Sequence, residues 1–63
     1  MMEMPKDFYD TLKNSVIDSY KNRLSKNNIK KLEEYYDSKY DSWKYNPIEK
    51  VIKLMTDYLN TVL

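Results

Sequence analysis

Tyr35, Tyr36, Tyr40, Trp43 and Tyr45 put five aromatic side chains into eleven consecutive positions, interleaved with Asp37, Lys39, Asp41 and Lys44. Rings set among charges of both signs are recognition chemistry. Tyr and Trp supply much of the binding energy at protein interfaces. They also stack on single-stranded bases, but that use needs a positive groove beside the rings, and this segment carries as many acids as bases. Protein is therefore the expected partner, with these five residues as its candidate contacts. Their competing role is core filling, since Tyr36, Tyr40 and Trp43 share a helical face with Ile29 and Leu32. Tyr35 and Tyr45 are the two that a core does not explain.

A second constellation is basic. Lys21, Arg23, Lys26, Lys30 and Lys31 place five cations in eleven residues with no acid among them. On the tip of a helical hairpin such a run is first of all a solvated surface, and its functional form is a patch for phosphates or an acidic partner. A second helix capped by Asn27 or Asn28 puts Lys30 and Lys31 in its first turn, where the dipole disfavours cations.

Catalysis lacks its usual equipment. The chain has no His and no Cys, and no Ser has a recognisable activating partner. Asp37 and Asp41, one turn apart on a Lys-rich helix, read as solvated charges rather than an acid/base pair. No catalytic residue is assigned, and the protein is expected not to be an enzyme. Glu33, Glu34, Asp37 and Asp41 lack the loop spacing and glycine of a calcium hand, so no metal ligand and no cofactor is assigned either.

These residues need a scaffold, and the pattern around them is helical throughout. Pro5 suits a helix start, and Phe8, Leu12, Val16, Tyr20 and Leu24 then recur every four residues, with Tyr9 and Ile17 on the flanks. Lys21 and Arg23 fall in the last turn, where cations suit the dipole. A second helix carries Ile29, Leu32, Tyr36, Tyr40 and Trp43 as an inner stripe. Asn46, Pro47 and Glu49 mark the next boundary as N-cap, first helical residue and N3. The third helix presents Ile48, Val51, Ile52, Met55, Tyr58, Leu59, Val62 and Leu63 at spacings of three and four, with Leu54 alone out of pattern. The expected fold is all-α: a small antiparallel three-helix bundle with helices at about 5–24, 28–44 and 47–62, possible completion by dimerisation, and a flexible N-terminal leader at 1–4 ahead of a single domain at 5–63.

Size bounds the rest. A chain of 63 residues buries only about 60% of its unfolded surface, which leaves stability marginal. Disulfides and metals are the usual supplements, and without Cys or His association with a second copy or a larger partner remains. A net charge of +1 gives no overall attraction to nucleic acid or anionic lipid. No apolar run approaches membrane-spanning length, and the chain reads as cytoplasmic. The absence of Gly, Ala and Gln beside ten Lys and six Asn is the bias of an AT-rich genome, such as a low-GC bacterium, its phages or its plasmids.

The function expected from these residues is a small protein-binding modulator or inhibitor, phage- or plasmid-borne, that occludes a host protein through its aromatic helix. A dimeric DNA-binding regulator is the main alternative. It is disfavoured because the second helix is acidic at Glu33, Glu34, Asp37 and Asp41, and no basic stripe runs along a whole helix. A structural subunit of a larger assembly is the third reading.

Overall fold

Two prolines set the starts of two helices from just outside them. In the computed structural model, which describes residues 3–63, the elements are α1 (Lys6–Tyr20), a 3-10 turn (Lys21–Arg23), α2 (Lys26–Trp43) and α3 (Ile48–Val62). Pro5 and Pro47 occupy the N-cap positions, at φ −60, ψ 145 and φ −62, ψ 155. Their carbonyls accept the amides of Tyr9 at 3.0 Å and Val51 at 3.1 Å, so each proline opens the helical ladder without needing the N–H it lacks. Asn46 is therefore not the cap of α3, and no side chain, Glu49 included, caps that helix. Asn46 turns the other way. Its amide N–H and its Nδ2 donate to the Trp43 carbonyl, at 3.0 and 3.3 Å, closing the end of α2.

The α1–α2 connection also departs from expectation. α1 ends at Tyr20, and Lys21 and Arg23 form a 3-10 turn beyond it, Leu24 being extended at φ −117, ψ 137. With no Gly to take the left-handed conformation of a usual C-cap, the chain tightens into three-residue hydrogen bonds instead. Ser25, not Asn27 or Asn28, caps α2: its Oγ accepts the Asn28 amide at 3.1 Å. The helix so gains two residues at its start, and Lys30 and Lys31 fall in its second turn. Lys26 is the cation set against the dipole.

The three helices run up, down and up in a body of 36 × 16 × 16 Å, each packed on both others. α1 and α3 are thus parallel. The core contains Met4, Tyr9, Val16, Ile17, Leu32, Tyr36, Val51, Met55 and Leu59. Phe8, Ile48 and Ile52, expected on inner stripes, are exposed, whereas the flanking Tyr9 is fully buried. The four-residue series on α1 explains this: each step adds about 40° around the helix, so Phe8 and Tyr20 stand about 120° apart and cannot both face one core. On α3 the buried row is Val51, Met55 and Leu59, and Ile52 lies at its edge.

Met4, the last residue of the expected leader, packs on the bundle. It is buried; its N–H donates to the Lys44 carbonyl at 2.7 Å, and its own carbonyl accepts the Tyr40 hydroxyl at 2.6 Å. Glu3 pairs with Lys44 at 3.3 Å. The buried thioether and these two hydrogen bonds tie Met4 to the end of α2. Met1 and Met2 lie outside the described residues.

Candidate protein-binding surface

The aromatic stretch does not form one patch. α2 turns its rings three ways, and each direction meets a different neighbour. Tyr36 points straight inward, fully buried, and its hydroxyl donates to the Met55 carbonyl of α3 at 2.6 Å. It is removed from the candidate contacts, because a ring enclosed on all sides meets no partner. Tyr40 leans toward α1, edge-on to Tyr9 with centroids 4.9 Å apart, its hydroxyl anchored on Met4. Tyr45, in the turn leaving α2, is exposed, and the Lys44 ammonium lies 5.4 Å from its ring and 5.5 Å from that of Tyr40.

Tyr35 and Trp43 turn toward α3. Tyr35 stacks flat on Tyr58, with centroids 3.5 Å apart and planes 5° from parallel, and meets Trp43 edge-on at 6.0 Å. All three rings are half-buried, and Lys39 stands 5.4 Å from the Tyr35 centroid. Tyr35 is thus explained by packing after all, through a partner on α3 that helical spacing along α2 gave no means of pairing with it. The exposed edges of the Tyr35, Tyr58 and Trp43 rings form an aromatic patch shared by two helices.

The groove between α1 and α2 holds charge instead. Lys6 pairs with Asp10 at 2.6 Å and with Asp37 at 3.7 Å, while Lys13 reaches Asp37 at 3.0 Å and Asp10 at 3.8 Å. The Asp10 contact raises the Lys6 pKa, and the same hydrogen bond holds the Asp10 carboxyl below its ordinary value. Lys13 is buried, its stem lying along the core while its ammonium reaches these carboxylates. Nearby, burial is the main cause that pushes the Tyr9 phenol up to about 12, with Asp37 and then Asp10 adding to it. Its hydroxyl donates to the Tyr36 carbonyl at 2.5 Å. Asp37 is accordingly a structural ion-pair partner. Among the described residues no group of three acidic side chains is gathered so as to hold a metal ion.

The five cations at the α1–α2 end are all exposed, and none of them forms an ion pair among the described residues. Arg23 lies 6.0 Å from the Tyr20 ring. Lys21, Arg23, Lys26, Lys30 and Lys31 thus occupy one end of the bundle, spread over the 3-10 turn and the first two turns of α2.

One surface was missed in the sequence. The groove between the parallel α1 and α3 is apolar and open, with Phe8 and Ile48 exposed at one end and Ile52 midway. The pairs Phe8/Leu12 and Ile48/Ile52, each one turn apart, were the available signal. In the helical pattern both pairs belong to apolar stripes.

No protein-family model, curated protein or solved structure matches this chain.

Proposed function

We propose that this protein is a non-enzymatic protein-binding modulator or inhibitor that acts by covering a working surface of another protein. The Tyr35–Tyr58–Trp43 cluster carries this reading. Three partly buried rings, held by α2 and α3 and flanked by Lys39, have the composition of an interface hot spot. Tyr45, exposed in the following turn beside Lys44, is a separate candidate contact. The target is a protein rather than a nucleic acid, because the ring-bearing segment sets Asp37 and Asp41 against Lys39 and Lys44, whereas stacking on bases calls for a positive groove. The protein is expected to pair with a second copy and to work in the cytoplasm. Among the described residues no helix is long and apolar enough to cross a membrane. An origin in a phage or plasmid of a low-GC bacterium suits a small occluding protein of this kind.

The single tryptophan sits in the proposed contact and reports on it. A target captured from a low-GC bacterial lysate, then purified, should shift the Trp43 emission on titration. Tyr35→Ala and Tyr45→Ala should weaken that binding by roughly fivefold or more each, the effect of losing a residue worth about 1 kcal/mol or more, with helical circular dichroism retained. Unchanged affinity in both variants would remove the aromatic contact from the mechanism. Affinity for mixed DNA falling steeply with salt would instead favour the regulator reading.

A further inference from the structure

The folded α2 sorts its charges by side. About the helix axis, Lys31 and Lys39, one turn before and one turn after Tyr35, stand about 40° to either side of it. Glu33, Glu34, Asp37 and Asp41 all lie at least about 100° from it, and Asp37 is turned to α1, where it meets Lys13 and Lys6. A stretch of mixed sign in the sequence thus sets cations, and no acid, beside Tyr35. On α3, Leu54 precedes Tyr58 by one turn and Lys50 by two, on the side away from Ile52. Leu54, the residue out of pattern in the sequence, is half-buried without being part of the core. It extends the apolar part of the α2–α3 face. Lys31, Lys39 and Lys50 form no ion pair among the described residues. The nearest acids stand at the outer margins, Glu34 on α2 and Asp57 on α3, and Asp57 is paired with Lys53 at 3.5 Å.

The rings add donors to these cations. Tyr9, Tyr36 and Tyr40 spend their hydroxyls on carbonyls inside the bundle. Those of Tyr35 and Tyr58, and the Trp43 indole N–H, have no hydrogen-bond partner among the described residues. None of the three is a buried orphan, so each reaches solvent. Unpaired ammonium, phenol and indole groups around an apolar patch are complementary to carboxylates. We infer that the α2–α3 face takes an extended acidic segment of a partner protein, with carboxylates on Lys31 and Lys39 and an apolar side chain on the ring edges between them. Spacing fits this occupant. Two helical turns put Lys31 and Lys39 about 12 Å apart, and four residues of extended chain span about 13 Å. Alternate residues of such a segment point the same way, so acids at i and i+4 and an apolar residue at i+2 face α2 together. A single nucleic-acid strand also brings acceptors, but it stacks bases on open ring faces. Tyr35 and Tyr58 cover one face of each other at 3.5 Å, and Lys39 stands over Tyr35.

This inference rests on the reading of Tyr35, Tyr58 and Trp43 as a protein contact, and it gives that partner its chemistry. The probe is a peptide of three Glu-Ser-Leu-Ser repeats, titrated into the nitrogen-15-labelled chain. Binding should saturate, weaken with added salt and shift amides centred on Lys31–Trp43 and Lys50–Tyr58. A Gln-Ser-Leu-Ser version should bind about tenfold more weakly, and Lys31→Glu and Lys39→Glu should each cost the acidic peptide about as much. Neither lysine is ion-paired within the chain, so helical circular dichroism should be retained. Lys21→Glu, off this face, should leave affinity within about twofold. No saturable binding, equal affinity for the glutamine peptide, shifts gathered at Lys21–Lys26, or tighter binding of an oligothymidylate of matched length would each overturn the inference. With the captured target, weakening by Tyr35→Ala but not by Lys31→Glu or Lys39→Glu would overturn the acidic partner and leave the aromatic contact standing. Indifference to Tyr35→Ala would strike the contact itself.

Discussion

The tyrosine hydroxyls connect the helices. Tyr9 reaches α2 at the Tyr36 carbonyl, Tyr36 reaches α3 at the Met55 carbonyl, and Tyr40 reaches back to Met4. Seven tyrosines look too many for so small a core, given that a buried hydroxyl needs a partner. The solution is that helix carbonyls have a second lone pair to offer, and no buried side-chain oxygen or nitrogen among the described residues lacks a hydrogen bond. The same burial makes the fold sensitive to alkali. The Tyr9 phenol ionises at about 12 when folded and near 10 when unfolded, and burial shifts Tyr36 upward as well. Because these folded values lie above the unfolded one, their contribution is fully present below about pH 10 and is lost as pH rises through about 12. Urea midpoints followed by circular dichroism should therefore fall steeply over that interval. Tyr9→Phe, which loses a hydrogen bond worth about 0.5–1.5 kcal/mol at neutral pH, should show a shallower fall.

At the scale of the element, helix existence and order were legible, and the caps were not. Periodicities of three and four residues located α1, α2 and α3, because amphipathic stripes follow from the 3.6-residue turn alone. Cap identity depends on which of several adjacent candidates the chain path can use. Ser25, Asn27 and Asn28 are all good N-caps in isolation; the extended backbone at Leu24 and Ser25 decided for Ser25. Ser25→Ala should accordingly cost about 1 kcal/mol in urea unfolding. Asn27→Ala, which caps nothing, should cost only a few tenths of a kcal/mol, close to the surface-substitution range. The reverse order would restore the later start of α2. Asn46 makes the same point: the residue type was read as a helix signal, and the geometry uses it to end α2.

For the whole molecule, marginal stability is the governing fact. A domain of this length is expected to hold roughly 3–9 kcal/mol at about 0.05–0.15 kcal/mol per residue. Leu32, fully buried among the three helices, is worth about 2–5 kcal/mol against Ala. Leu32→Ala should lower the thermal midpoint by well over about 10 °C, a drop visible by circular dichroism at 222 nm. Ile52→Ala, at a position 39% exposed, should shift the thermal midpoint far less.

The sequence by itself determined the all-helical class, the number and order of helices, the absence of His and Cys from its residue types, and the inner stripe Leu32–Tyr36. Each of these follows from composition or from spacing within one segment. Only the tertiary structure decided what depends on two segments at once. It stacked Tyr35 on Tyr58 and buried Lys13 against Asp37. It drew Met4 into the core and divided the aromatic stretch among three directions. It also left Phe8, Ile48 and Ile52 outside a core that helical angle alone assigned them to. A stripe wider than one neighbour can cover does not say which of its edges stays in water, and that choice is made by how three helices share a single centre.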